Sequence, residues 1–279
     1  MEAVLTPATV DLSPLVHPKE RIYYALCVTI SVFAYGWAIY ALGTSSTASP
    51  AVGVIITYAV MFGLGFWMVH ALFLGRLRGN AVRVSERQLP DLHRVVVEQC
   101  RALAMDVPDV FVTQAGGMLN AFATKFFRRR FVILYADIVE LAREQGETAV
   151  RFVVAHELAH LRRGHLSRRW LIFPAMMVPF LGSAYSRARE YTCDRFGAHL
   201  EPEGAVAGLL VLAAGKRLYR EVDTNEYVRQ TNDEGGFWYW LAEVTSTHPN
   251  LTKRVAAVRQ NPSVKVPDGV MFPRAGARV

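Results

Sequence analysis

The pentapeptide His156-Glu157-Leu158-Ala159-His160 places two histidines four residues apart, with a glutamate directly after the first. On an α-helix, residues at positions i and i+4 project from one face, so both imidazole rings can reach a single metal ion. A catalytic zinc site has three protein ligands and a water in its fourth position, and a carboxylate beside that water can accept its proton. The pentapeptide therefore predicts a catalytic zinc site if it is helical and a third ligand exists.

The sequence around the pentapeptide favours a helix. Residues 147–155 contain neither Pro nor Gly, and Gly164 lies where a helix can end. Apolar side chains recur there at spacings of three and four, at Val150, Val153, Val154, Leu158 and Leu161. We therefore predict a mostly buried helix that carries both histidines on one face.

The candidates for the third ligand are His165 and Glu190. The metzincin pattern needs a histidine six residues after the second one, and this chain has Leu166 there. His165 lies off the ligand face of the helix, so we interpret it as a polar residue at a helix end. Glu190 and Asp194 are four residues apart. On a helix, Glu190 can bind the metal while Asp194 accepts the free N–H of a liganding histidine.

A simpler interpretation remains open for each motif. Two histidines on a solvated surface helix can match a five-residue pattern by chance. Glu190 and Asp194 can likewise pair with neighbouring arginines on an exposed helix, namely Arg187, Arg189 and Arg195. The presence of both motifs in one chain favours the metal site.

Four stretches follow one another along the chain. They read NAFA at residues 120–123, HELAH at 156–160, SRAREYTCDRFGA at 186–198 and STHPNLTKR at 246–254. In this order they resemble the membrane-embedded zinc metallopeptidases of the gluzincin class that include the HtpX-type heat-shock proteases and the CAAX prenyl endopeptidases. The resemblance implies a zincin-like metalloprotease domain.

The resemblance also implies roles for individual residues. It implies one Zn²⁺ per chain, with His156, His160 and Glu190 as its ligands. It further implies that Glu157 is the general base and that Asp194 supports a liganding histidine.

Two of the four stretches are expected to contact the substrate. The resemblance implies that His248 lies near the zinc and stabilises the oxyanion. It also implies that the NAFA segment is an edge strand that pairs with the substrate backbone, through Asn120, Ala121, Phe122 and Ala123.

The chain has no Asp, Glu, Lys or Arg from Ile22 through Gly75. One crossing of the hydrocarbon core needs ~20 apolar residues, so this stretch is long enough for two. We predict spans at about residues 22–42 and 51–74, joined by a turn at residues 43–50. Two buried core helices of a soluble domain are a poor alternative, because such helices seldom run this long without charge.

The arginines and lysines indicate how the hairpin is oriented. Lys19 and Arg21 precede the first span, four arginines follow the second one (Arg76, Arg78, Arg83 and Arg87), and the loop between the spans has no basic residue. By the positive-inside rule both ends are predicted to be cytoplasmic. We therefore expect an integral membrane protein, of the plasma or inner membrane if the source is bacterial, with a cytoplasmic catalytic domain.

The net charge of +7 and the pI near 9.5 predict a negatively charged partner. Anionic lipid suits a domain held beside a membrane, and no nucleic-acid motif accompanies the arginines, so a lipid bilayer is expected and nucleic acid is not. The three cysteines are interpreted as apolar filler residues on the reducing side of the membrane, namely Cys27, Cys100 and Cys193.

The apolar residues 170–182 depart from the HtpX pattern, which implies two further transmembrane helices in this part of the chain. Thirteen residues with two prolines are too short to cross a bilayer as a regular helix. A re-entrant, interfacial or cleft-lining segment therefore remains open.

The whole chain is predicted to be mainly α with a small β-sheet, attached to an N-terminal two-helix transmembrane hairpin. We expect a tail at residues 1–21, the hairpin at 22–75, the metallopeptidase domain at 76–260 and a mobile tail at 261–279. Strands are predicted at 110–113, 119–123 and 131–135. Helices are predicted at 90–105, 138–145, 205–220 and 252–259.

The sequence therefore predicts a membrane-bound zinc metalloendopeptidase that hydrolyses unfolded or membrane-associated proteins, in protein quality control. Two alternatives remain open: a CAAX-type endopeptidase that acts on prenylated peptides, and a non-catalytic membrane scaffold with a structural zinc. A structural site would need a fourth protein ligand, for which His165 and His248 are the candidates. The oligomeric state is not indicated.

Overall fold

The computed structural model describes residues 11–44, 50–114, 121–126, 129–145 and 147–264. Within these residues the chain is mainly helical with one small mixed sheet, which confirms the predicted fold class. The helices are α1 (Pro18–Thr44), α2 (Pro50–Asn80), α3 (Pro90–Ala102), α4 (Ala136–Gln145), α5 (Thr148–Arg162), α6 (Phe173–Met176), α7 (Leu181–Leu200), α8 (Ala205–Leu218), α9 (Thr224–Asp233), α10 (Phe237–Thr245) and α11 (Leu251–Arg259). The strands are β1 (Val82–Arg83), β2 (Asp109–Thr113), β3 (Ala121–Phe126) and β4 (Arg129–Tyr135).

Helices α1 and α2 are long and apolar enough to cross a membrane, over Pro18–Thr44 and Ile56–Asn80. Only 11% of the most apolar part of α1 is buried, and 0% of that of α2. Large apolar side chains such as Trp37 and Phe62 are 72% and 76% exposed. Such exposure is unfavourable in water but not in lipid. This exposure excludes a pair of buried core helices. Most of the predicted turn at residues 43–50 lies outside the described residues.

The sheet has the strand order β1-β2-β4-β3. Strands β2 and β4 are parallel, whereas β1 is antiparallel to β2 and β3 is antiparallel to β4. The strand predicted at 119–123 continues to Phe126, which pairs with Arg129, so the interval before the next strand is shorter than predicted. Thr124 and Phe126 favour this extension because both residue types have high strand propensity.

Helix α5 lies at the centre of the packing and contacts α7, α8 and β3. Its side chain Phe152 is 1% exposed. A Cβ atom at Gly197 of α7 or at Gly208 of α8 would lie 2.7 or 2.5 Å from the ring of Phe152. Glycine at both positions therefore lets α7 and α8 approach α5 closely enough to bring α7 beside the histidines.

Residues 170–182 form no regular membrane-spanning helix, as their two prolines predict. They contain the four-residue helix α6, and α7 begins at Leu181. The N–H of Ala175 donates a hydrogen bond of 3.3 Å to Oγ of Ser31, and the hydroxyl of Tyr35 donates one of 2.8 Å to the carbonyl of Trp170. The segment therefore lies along α1.

Candidate metal centre

Helix α5 places His156 and His160 on one face, as their spacing predicts. Their Nε2 atoms are 3.3 Å apart, and His156 is only 6% exposed. Glu157 lies between them on the same helix and is 8% exposed, and all three side chains line one cavity. The histidine pair is therefore buried beside a carboxylate. This burial excludes the interpretation in which the two histidines match the pattern by chance on a solvated surface helix.

Helix α7 brings Glu190 to the two histidines. One of its carboxylate oxygens is 3.4 Å from Nε2 of His156, and the other is 3.4 Å from Nε2 of His160. Two ligand atoms of a tetrahedral zinc site with bonds of ~2.0–2.1 Å are about 3.3–3.4 Å apart. Two imidazoles and a carboxylate are also ligand types that zinc accepts. The three side chains therefore fit a zinc ion in both spacing and chemistry.

The charges at this site favour a cation. Burial alone would raise the pKa of Glu190, but hydrogen bonds with His156 and His160 outweigh it and hold that pKa well below its usual range. Burial would lower the pKa of His156, yet hydrogen bonds with Asp194 and Glu190 raise it to about 10. The carboxylates of Glu190 and Asp194 thus stabilise positive charge at the histidines.

Asp194 contacts His156 on the side of the ring that faces away from Glu190. Its Oδ1 is 3.0 Å from Nδ1 of His156, the ring nitrogen remote from Glu190. Arg254 of α11 donates two hydrogen bonds to Asp194, of 2.8 and 2.7 Å, and its Nη1 lies 3.4 Å from Glu190. Burial would raise the pKa of Asp194, but the guanidinium of Arg254 lowers it. No role for Arg254 is predicted from the sequence, although this residue ends the STHPNLTKR stretch.

Cys193 is a second candidate for the third ligand. Its Sγ and the ligand atoms of His156 and His160 all lie within 4.8 Å of one another. It is therefore closer to the site than its interpretation as an apolar filler implies. Burial raises the pKa of the Cys193 thiol well above its usual range, and nearby carboxylates raise it further. Glu190 contacts both histidines, with each of its carboxylate oxygens 3.4 Å from one imidazole Nε2, so it is the better candidate.

His165 lies on the far side of His160. Its Nδ1 is 3.0 Å from Nδ1 of His160, and its Nε2 is 3.2 Å from Oε1 of Glu20 on α1. Burial lowers the pKa of His165 to about 4, although the Glu20 carboxylate opposes this shift. The ring is therefore neutral. It contacts Nδ1 of His160, whereas Nε2 of His160 faces Glu190, so His165 and His160 do not point at one shared metal ion.

A cavity of about 360 Å³ surrounds the two histidines and Glu190. Its other walls include β3 at Ala121, Phe122 and Ala123, the loop residues Thr247 and His248, and Ile172 and Met176 of the apolar segment. Of the described strands, β3 is one of the two at an edge of the sheet. Nε2 of His248 is 3.8 Å from Oε1 of Glu190, and the side chain is 65% exposed. Asn120 lies outside the described residues.

A buried helix with two histidines and a glutamate, a carboxylate supplied by a second helix, and a pair of membrane helices together define a membrane metallopeptidase. The chain belongs to peptidase family M48, whose family model matches residues 86–179 and 170–261. Its predicted resemblance to HtpX-type enzymes and its predicted activity, hydrolysis of peptide bonds by a metallopeptidase, are confirmed.

Two relatives illustrate the similarity. Plastoglobule-localized metallopeptidase 48, chloroplastic, of Arabidopsis thaliana is 31% identical over 168 residues, which are 53% of this chain and about half (47%) of that protein. A protease HtpX homolog of Salinibacter ruber is 25% identical over 247 residues, which are 75% of this chain and 88% of the relative. Among solved structures, S. mikatae Ste24p aligns with a TM-score of 0.46 and 14% identity over 86% of this chain and 66% of that chain.

Proposed function

We propose that this metallopeptidase uses zinc, held by His156, His160 and Glu190. The observation that carries the proposal is the buried contact of the three side chains: the two imidazole Nε2 atoms are 3.3 Å apart, and each lies 3.4 Å from one carboxylate oxygen of Glu190. When bound, the ion supplies Lewis acidity, which lowers the pKa of water and polarises a carbonyl group. Asp194 holds the ring of His156 in the orientation that ligation needs.

Glu157 is proposed as the general base. It is the carboxylate that the histidine helix itself carries, and it lines the cavity in which a peptide bond would lie. It takes a proton from the attacking water and passes it to the leaving amine. His248, which is largely exposed at the rim, donates a hydrogen bond to the developing oxyanion.

The substrate is proposed to bind as an extended peptide along β3. The strand lies at an edge of the described sheet and lines the cavity through Ala121, Phe122 and Ala123. Main-chain pairing with such an edge makes modest demands on sequence, so it favours unfolded or loosely folded protein segments. A role in protein quality control follows from this selectivity.

The cleft is proposed to open beside the membrane, with the catalytic domain on the cytoplasmic side. Ser31, which contacts the apolar segment, lies ~14 Å along α1 from Ile22, where the uncharged stretch begins, at about 1.5 Å per residue. That depth is within a hydrocarbon core ~30 Å thick. Trp170 and Met177 of the segment are 71% and 73% exposed, as contact with lipid requires. Membrane-associated proteins are therefore the second class of substrate.

The Glu157→Gln variant tests the proposal. It keeps the size of the side chain but cannot accept a proton, so we expect the purified protein in detergent to retain zinc and to cleave an unfolded protein about 10²–10⁴-fold more slowly. A prenylated peptide and its unmodified form, assayed side by side, test the CAAX-type alternative. Unchanged fragment patterns in the variant would refute the proposed mechanism.

A further inference from the structure

The two histidines of the metal centre are supported in different ways. His156 contacts a carboxylate directly, whereas Nδ1 of His160 contacts another imidazole, that of His165, at 3.0 Å. If Nε2 of His160 binds the metal, its Nδ1 carries the proton and donates the hydrogen bond. Nδ1 of His165 must then be the acceptor.

That hydrogen bond fixes the tautomer of His165. A neutral imidazole that accepts through Nδ1 carries its proton on Nε2 and can donate there. Nε2 of His165 is 3.2 Å from Oε1 of Glu20. Two hydrogen bonds therefore run in one direction, from His160 through His165 to Glu20. His165 and Glu20 are each 2% exposed, so bulk water does not compete for these contacts.

Glu20 belongs to the first turn of α1, the first membrane helix. A buried carboxylate at the start of an apolar span is costly unless it has a partner and a role. Arg163, just after α5, donates a hydrogen bond of 2.8 Å to the same oxygen, Oε1. The positive charge of Arg163 thus compensates the buried carboxylate of Glu20, and His165 connects that carboxylate to the metal centre.

We propose that Glu20 and His165 are positioning residues for the metal centre, which hold His160 in its ligating orientation and strengthen its bond to the ion. The first membrane helix is then part of the catalytic centre as well as an anchor. The inference rests on the proposed function in one respect, namely that His160 is a metal ligand.

A matched pair of variants separates the two hydrogen bonds. In His165→Asn the amide oxygen takes approximately the place of Nδ1, so it still accepts from His160 but does not reach Glu20. In His165→Gln the amide lies near the place of Nε2, so the contact with Glu20 is kept and the contact with His160 is lost. Glu20→Gln retains an acceptor for His165 and removes the charge.

The readouts are the zinc dissociation constant of the full-length protein in detergent, from competition with a chelator, and the visible spectrum of the Co²⁺-substituted protein. Loss of an outer partner of a metal ligand typically weakens metal affinity about 10- to 100-fold. We expect a loss of that size for His165→Gln and smaller losses for His165→Asn and Glu20→Gln. The Co²⁺ spectrum should shift in the same order.

Ser31→Ala is the control, because Ser31 is buried on the same helix and contacts Ala175 rather than the metal centre. It should bind zinc like the wild type. Glu20 and His165 variants that are less stable but retain wild-type zinc affinity and an unchanged Co²⁺ spectrum would overturn the positioning role and leave the proposed function intact. A wild-type protein that binds no zinc would overturn both.

Discussion

At the scale of single residues, the third ligand is the most consequential assignment. Glu190 and Cys193 lie on the same helix, and both come close to His156 and His160. Each carboxylate oxygen of Glu190 lies 3.4 Å from Nε2 of one histidine, whereas Sγ of Cys193 lies within 4.8 Å of the ligand atoms of both. The two side chains therefore differ in how directly they contact the histidines.

Two substitutions distinguish these residues. Glu190→Gln removes the charge at constant size, so we expect the purified protein to lose most of its zinc and its peptidase activity. In the proposed site the thiol of Cys193 makes no bond to the ion, so Cys193→Ala should keep its zinc content at the wild-type level. Metal analysis of both proteins checks this, and the reverse pattern would make Cys193 the ligand.

The candidate site could be predicted from sequence where its residues are close along the chain. The periodicity of a helix relates His156 to His160, and Glu190 to Asp194, without knowledge of the fold. Other contacts join residues far apart in sequence: Arg254 reaches Asp194 across 60 positions, and His165 reaches Glu20 across 145. No local sequence pattern predicts a contact between residues this far apart, so neither pair could be predicted from the sequence.

At the scale of secondary structure, the helices and strands of the domain follow apolar periodicity and strand propensity. The predicted ends were less accurate, as in β3, where pairing with β4 extends the strand to Phe126. The close approach of α7 and α8 to α5 could not be predicted, because glycine in a helix indicates a packing role only when its neighbour is known. Here the neighbour is Phe152 for both Gly197 and Gly208.

Gly208→Ala tests this packing. The new Cβ would lie 2.5 Å from the ring of Phe152, so the helices must separate. Overpacking of this kind costs about 1–3 kcal/mol, and we expect a loss of that order in the free energy of unfolding in detergent. Gly235→Ala is the control because a Cβ there meets nothing within 4 Å. Equal stability of the two variants would contradict the close packing.

At the scale of the whole molecule, the uncharged stretch from Ile22 to Gly75 predicts two membrane helices by its length and composition, and their low burial in the structure distinguishes them from core helices. The packing of residues 170–182 along α1 could not be predicted in this way, since that contact depends on tertiary structure. Ile172 and Met176 of this segment also line the cavity, which supports the proposal that the cleft opens beside the membrane.

The orientation of the hairpin is a separate prediction. Basic residues flank it on both outer sides, so both ends should be cytoplasmic. Green fluorescent protein fused after Asn80 should fluoresce in a bacterial host, and alkaline phosphatase fused after Thr44 should be active. Alkaline phosphatase that is active when fused after Asn80 and inactive when fused after Thr44 would indicate the opposite orientation.

Zinc K-edge X-ray absorption on the purified wild-type protein tests the metal centre most directly. If His156, His160 and Glu190 are the ligands, about one zinc ion per chain should be found, with nitrogen and oxygen neighbours at ~2.0–2.1 Å and no sulfur at ~2.3 Å. A sulfur neighbour, or protein that binds no zinc, would contradict this ligand set.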